Sequence, residues 1–424
     1  MSTTFVGRAA ELAVLTGLLG EAVRSGSPAA ALIIGEPGSG KTRLLDEVLR
    51  DHQGAQVVRT AGYEPSRSIP LAASGYLLRR LAEAPDNGTR LEELVFSGER
   101  PDAPDLLRVF EVAHRAHSEI GPLVLAVDDL QSIDEQTLAL IHYLLIAAAS
   151  SYPPMIVMAA GRPSPAVQAL HSGAEAALPE QRSVALELRS LPLAEGIALV
   201  RSIDGTLGAN AATEVWRRSQ GSPFWLEVLA RGGARDSSDV ITDRLRAASG
   251  DAGVLLSALA LAGRPSTDEE MASVLGWPPA RVHHATGELV ALGLTVGDTG
   301  ALRVVHDLIR EEVVRTLPEP TRHKLHASMA LVVEEEAGDD LPMLCEALDH
   351  RRSANMPCAG LAFRILSSPR RRLIGSDGLR VLASIGVGLD PVDADRLTLY
   401  VGVAGARHGP RRARARSRVL VSGR

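Results

Sequence analysis

Gly35-Glu-Pro-Gly-Ser-Gly-Lys-Thr42 fits the phosphate-loop pattern G-x-x-x-x-G-K-[ST] at every position. Just before it, Ala30-Ala-Leu-Ile-Ile34 is a short apolar run suited to a buried parallel strand. Just after it, Arg43-Leu-Leu-Asp-Glu-Val-Leu-Arg50 has the apolar spacing of a helix. Strand, glycine loop and helix start together form a nest of backbone N–H groups at the positive end of a helix dipole. Gly35, Glu36, Pro37, Gly38, Ser39 and Gly40 would wrap phosphate oxygens, and Gly38 and Gly40 would leave no Cβ in the way. Lys41 would reach the β- and γ-phosphates as a point charge, and the Thr42 hydroxyl would ligate Mg²⁺. Arg43 is taken with the loop as a nucleotide contact. A Gly/Pro turn could match this pattern by chance, but the flanking strand and helix favour the phosphate reading.

A phosphate loop needs acid to hold its metal. Leu123-Val-Leu-Ala-Val-Asp-Asp129 offers a five-residue apolar strand followed by two carboxylates at its C-terminal end, the edge where open α/β sheets bind ligands. Asp128 would hold Mg²⁺, and Asp129 would orient or deprotonate the attacking water. Alone, the pair reads equally well as an acidic cap on the next helix. A third strand, Met155–Ala160, leads into Arg162. If it lies between the first and third strands, Arg162 emerges beside the γ-phosphate and can stabilise charge there. Otherwise it is a surface residue ahead of the Pro163-Ser-Pro165 turn. An intervening strand also departs from nucleoside kinases, which usually set the acidic strand next to the phosphate-loop strand.

The 424 residues suggest two to four domains, and the net charge of −6 offers no general attraction for nucleic acid. Two cysteines, Cys345 and Cys358, form neither a disulfide framework nor a zinc site and suit a reducing cytoplasm. The N-terminus lacks a signal-peptide pattern, and the apolar run Leu138–Ala149 is too short to span a bilayer. A cytoplasmic chain with no membrane partner is expected.

Further strands are expected at Gln56–Thr60 and Val184–Leu188, alternating with helices as in an open parallel α/β sheet. The pattern is helical from Leu191 to about Arg231, and a small polar linker follows at 232–238. Helices near Ala252–Leu261, Asp268–Leu275 and Pro279–Leu292, then a hairpin around Gly297–Gly300, make a winged helix. Helical spacing runs on from Leu308 to about Arg352. The expected division is a phosphate-loop core at 1–190, a helical lid at 191–235, a winged-helix unit at 236–318 and a helical segment at 319–406. Residues 407–424 carry seven arginines and no acid, which reads as a solvated, disordered tail. No aromatic residue interleaves those arginines to stack on bases.

Phe5-Val-Gly-Arg-Ala-Ala-Glu-Leu12 resembles the opening box of signal-transduction ATPases with numerous domains (STAND), in particular the large ATP-binding regulators of the LuxR type. The same family is resembled by Val127-Asp-Asp-Leu-Gln-Ser-Ile-Asp134, by Arg162-Pro163 and by Gly221-Ser-Pro-Phe224. The histidine segment Val304-Val-His-Asp-Leu-Ile-Arg-Glu-Glu-Val313 is similar to theirs as well. The resemblance covers about residues 5–335. It implies that Val6 and Gly7 border adenine, that Arg8 lies near the ribose or the lid, and that Pro223 packs on the purine. It implies also that His306 donates to the ADP β-phosphate. Turn formation by Gly221-Ser-Pro223 and helix capping by His306 are the ordinary alternatives. Such regulators continue to a C-terminal helix-turn-helix, and nothing after Leu341 resembles one. A truncated regulator, a reading-frame shift near residue 350 and a standalone sensor all accommodate that departure.

The expected function is a slowly hydrolysing switch that binds ATP, ADP and Mg²⁺ and responds to a small-molecule or protein inducer, with nucleotide-dependent self-association. The winged helix carries Arg281, His283, His284 and Glu288 on its third helix, hardly a basic surface, so direct DNA binding is not expected. An origin-recognition-like AAA+ motor or loader is the alternative, and a phosphate-loop kinase the second alternative.

Overall fold

The computed structural model describes residues 5–50, 54–96, 106–149, 153–232, 244–298, 300–368 and 370–385, with single positions 394, 397, 398 and 401. Most of the expected linker, from 233 on, and the arginine-rich segment 407–424 lie outside the described residues.

Five strands carry the site: β1 (Ala29–Gly35), β2 (Gln56–Ala61), β3 (Leu123–Asp128), β4 (Met155–Gly161) and β5 (Ser183–Leu188). Each lies within one residue of its expected bounds. They pair in the order β2-β3-β4-β1-β5 with every neighbouring pair parallel. The three central strands are buried almost throughout, while β2 and β5, at the edges, are half-exposed.

Side chains alternate strictly between the two faces of the sheet. Ala29, Ala31, Ile33, Val124, Ala126 and Ile156 pack with the helices Ala9–Ser25 and Lys41–Arg50. Ala30, Leu32, Leu123, Leu125, Met155 and Val157 face the helices Gly75–Leu81, Leu106–Ile120 and Glu135–Ala148. The helix that opens at Lys41 is held by Leu44, Leu45, Val48 and Leu49, all buried on one side. Burial of each contributes about 2 kcal/mol, so the helix start that donates its N–H groups is firmly seated.

Beyond the sheet, the helices Leu193–Ile203, Ala209–Ser219 and Pro223–Gly232 form a small cluster with its own core. The helices Gly250–Ala262, Asp268–Leu275 and Pro279–Ala291 follow, with strands β7 (Thr295–Asp298) and β8 (Ala301–Val304). The sequence pattern missed β6 (Ser266–Thr267), which pairs with β8 and makes a three-stranded antiparallel sheet in the order β6-β8-β7. Two residues are too few to leave an alternating signature.

The helix Glu319–Ala337 joins two cores. Its first half puts Leu325 and Met329 among the side chains of the 250–313 unit. Its second half puts Val333 and Ala337 into the same core as the sheet, together with helices Leu341–Ser353 and Ala359–Ser367. Among the described residues no helix is long and apolar enough to cross a membrane.

Candidate functional site

The loop after β1 turns through Gly38 (φ +78°) and Gly40 (φ +91°), backbone conformations that strain residues with a Cβ. A Cβ on Gly38 would also lie 2.8 Å from Phe224 Cβ. Lys41 is buried, and its ammonium donates to the carbonyls of Gly35 (2.9 Å) and Glu36 (3.0 Å) of its own loop. Burial lowers its pKa, opposed by Asp129 and Asp128 nearby.

Asp128 closes β3 and accepts a hydrogen bond from the Thr42 hydroxyl. Burial raises its pKa. Asp129 follows in the left-handed region (φ 47°), which turns the chain so that both carboxylates stay at the strand end. Burial, with Asp128 and Asp307 close by, pushes the Asp129 carboxyl up to about 6.

β4 does lie between β1 and β3, so Arg162 emerges at the middle of the sheet edge. Its guanidinium reaches across to Asp307 (3.0 Å) and Glu311 (3.1 Å) on the helix Asp307–Thr316. Gln131 ties the acid to this arginine: its amide donates to Asp129 Oδ1 (2.9 Å), and its carbonyl accepts from the Arg162 N–H (2.9 Å).

The facing wall comes from two other units. Phe224 N–H donates to the Gly38 carbonyl (3.2 Å), latching the helix that starts at Pro223 to the phosphate loop. The Phe224 ring lies 4.2 Å from the His306 ring, tilted by 31°. His306 caps its helix, Nδ1 accepting from Leu308 N–H (3.1 Å). Burial lowers its pKa to about 4, so at neutral pH the ring is neutral and its proton sits on Nε2, leaving that nitrogen as a donor.

These groups enclose a cavity of about 380 Å³. Of the expected residues, Gly7, Gly35 and Glu36 do not line it, and all the others do. Gly35 instead closes β1, where a Cβ would meet Ser39 Oγ at 2.8 Å, and Glu36 faces solvent. Gly7 (φ +79°) makes way for Glu195, whose Oε2 a Cβ would meet at 2.5 Å. The same carboxylate accepts from Arg8 N–H (3.1 Å), while the Arg8 side chain binds Glu11 and the Arg189 carbonyl. Arg8 is therefore committed to the helix Leu193–Ile203 and the end of β5. Asp134 is structural: buried, it accepts from the N–H groups of Leu71, Ala73 and Thr137 and caps the helix that follows.

Sequence reasoning missed Gln131, Glu195, Phe224 as a ring contact, and the acids Asp307 and Glu311. Asp307 carried a signal, since it sits beside a histidine already singled out, but its partner Arg162 is 145 residues away.

The donor set fits a nucleotide phosphate and a divalent ion. Two half-buried carboxylates with raised pKa values face one ammonium, and Ser39 Oγ is buried in the loop without a protein partner.

Residues 4–158 match the family described as AAA ATPase domain. No curated protein matches the chain. Among solved structures, a STAND protein with a tetratricopeptide repeat sensor from Pyrococcus horikoshii is 14% identical, with TM-score 0.61 over 96% of this chain and 57% of that one. The chain thus spans somewhat over half the length of that protein. The Aeropyrum pernix ORC2 protein is 15% identical over 74% of this chain and 95% of that one, with TM-score 0.37. RuvB of Thermotoga maritima is 17% identical over 74% and 97%, with TM-score 0.35. An AAA-type ATPase domain therefore occupies residues 4–158, in a chain that shares its fold with a STAND protein.

Proposed function

We propose that the chain is a nucleotide-controlled switch, a slowly hydrolysing ATPase of the signal-transduction type. The observation that carries this reading is the engagement of Arg162 with Asp307 and Glu311. The arginine best placed to meet a γ-phosphate is already bound to carboxylates of the facing wall. ADP leaves those ion pairs intact, whereas the γ-phosphate of ATP competes for the same guanidinium and repels Asp307. One side chain therefore links nucleotide state to the seating of the 250–313 unit, which we take as a winged-helix lid.

Within this reading, the loop at residues 37–42 binds the phosphates, and Pro223 and Val6 offer apolar faces to the base. His306 Nε2–H donates to a β-phosphate oxygen and so favours the closed, ADP-bound form. Thr42 and Asp128 would hold Mg²⁺, which when bound neutralises charge on the β- and γ-phosphates. Asp129, held by Gln131, orients or deprotonates the attacking water. A role as a LuxR-type regulator, with an inducer and nucleotide-dependent self-association, extends the proposal to the whole protein. The strand order, with β4 between β1 and β3, departs from the kinase arrangement.

Mass spectrometry of the nucleotide carried through purification, combined with turnover, tests the proposal. ADP retained by the protein and turnover far below the usual enzyme range of about 1–1000 s⁻¹ are expected. Rapid turnover with no retained nucleotide would overturn the switch.

A further inference from the structure

A second concave site lies away from the phosphate loop, where the C-terminal helices meet the sheet core. It is an open cleft of about 640 Å³, in the size range of small-molecule sites. Arg67 lines it from the core side, Arg310 from the helix Asp307–Thr316, and Arg352 and Arg380 from the C-terminal helices. Against these four charges stand Glu64 and Asp349. Among the described residues the lining thus holds two more cations than carboxylates, one more once Asp307, the partner of Arg310, is counted, in a chain of net charge −6.

The ion pairs around it are loosely closed. Arg67 stands 4.0 Å from Glu64, Arg310 3.6 Å from Asp307, and Arg352 3.5 Å from Asp349. On other surfaces of the protein Arg217–Glu214, Arg281–Asp251 and Arg315–Glu312 close to 2.6 Å, while Arg189–Glu187 stays at 4.0 Å. The guanidinium N–H groups of Arg67, Arg310 and Arg352 are therefore weakly committed and suited to oxygen anions. His326 and His350 share a hydrogen bond between their Nδ1 atoms (2.9 Å) at the same cleft and contribute polar edges.

Arg310 lines the cleft and is linked to the phosphate-loop cavity through Asp307. Its guanidinium pairs with Asp307, and Asp307 pairs with Arg162 in the cavity at the phosphate loop. An anion that draws Arg310 into the cleft removes one of the two cations that neutralise Asp307.

We propose that this cleft binds a small phosphorylated molecule carrying two or more negative charges, and that the ligand tunes nucleotide retention through Arg310 and Asp307. The tuning half rests on the switch reading above, whereas the binding half stands without it.

Calorimetric titration of the full chain with fructose 1,6-bisphosphate as probe tests the binding half, with the protein first saturated with ADP and Mg²⁺ so that the phosphate loop is filled. One site with Kd below about 1 mM is expected. A double variant, Arg67→Ala with Arg352→Ala, should weaken binding by about tenfold or more with an unchanged melting temperature. No binding at about 10 mM probe, or equal binding by the variant, overturns the site. Inorganic phosphate binding as tightly as the bisphosphate overturns the two-phosphate assignment. Repeating the titration on Lys41→Ala protein keeps the binding half testable if ADP does not bind at all. For the tuning half, the probe should change the release rate of a fluorescent ADP by about twofold or more in the wild type and not in Arg310→Gln. An unchanged rate in the wild type, with the probe bound, overturns the coupling alone.

Discussion

One wall of the cavity, residues 37–43 with Asp128, Asp129 and Arg162, hangs from the ends of three adjacent strands of a single sheet. The opposite wall, Pro223, Phe224 and residues 303–307, belongs to two other units with cores of their own. It meets the first wall through the Phe224 N–H bond to Gly38 and the ion pairs of Arg162 with Asp307 and Glu311. The first wall's geometry is fixed by strand register and buried helices, and it costs the whole sheet to deform. The second rests on contacts worth about 1–3 kcal/mol each, a scale at which a bound ligand can choose between seated and unseated forms. Rigidity on one side and marginal attachment on the other suit a protein that holds a conformational state.

The largest effect should come from the rigid wall. Lys41→Ala removes the buried cation of the loop and should weaken nucleotide binding about 100-fold or more, measured by titration with a fluorescent ADP. Affinity like the wild type would break the assignment of that wall as the phosphate site. On the opposite wall, Phe224→Ala removes the latch ring and its contact with His306. It should cost about 2 kcal/mol in a chemical-denaturation experiment and speed ADP release.

The pH dependence sharpens the comparison further. His306 has its pKa lowered to about 4 by burial, with Asp307 opposing and Lys41, Arg162 and Arg303 reinforcing the shift. Its neutral form is the seated one, so this stability is complete above the ordinary histidine value of about 6.5 and is lost as pH falls toward 4. Between pH 7 and pH 5 the nucleotide-free protein should lose somewhat under about 2 kcal/mol through this group. His306→Gln should flatten that slope in melting curves, and an identical slope would remove His306 as the titrating group. The smallest effect expected is a change of preference: Asp307→Ala leaves Arg162 only Glu311 on the facing wall, removes the carboxylate beside a γ-phosphate, and should raise ATP affinity relative to ADP by about tenfold. Equal ratios in competition binding would show that the two walls do not share the arginine.

The same division explains what was legible in the sequence. All five strands of the sheet could be read, because buried parallel strands leave apolar runs and the loop between β1 and its helix is specified by contiguous residues. Asp128 and Arg162 were legible for a related reason: each is the polar residue ending or following an apolar run. The strand order needed the fold, although its consequence for Arg162 could be stated conditionally. The opposite wall was only partly legible. His306 and Pro223 came from family resemblance, while Glu195, Phe224 as a ring partner, and Asp307 as the partner of Arg162 are ordinary surface-type residues in sequence. Their roles arise from approach across 82 to 187 positions, which local pattern cannot encode. Asp134, the last residue of the family-like stretch 127–134, carried no assigned role in the sequence; it holds the backbone N–H groups of Leu71 and Ala73.

The helix Glu319–Ala337 adds a mechanical consequence. Nineteen residues make a rod about 28 Å long, gripped at one end by the core around Leu325 and Met329 and at the other by the core around Val333 and Ala337. A rod held in two places transmits angle: a tilt of about 10° at Leu325 displaces Ala337, about 18 Å farther along, by about 3 Å. A sub-ångström slackening at the phosphate loop would thus be geared up, by leverage alone, into a displacement large enough for another molecule to feel.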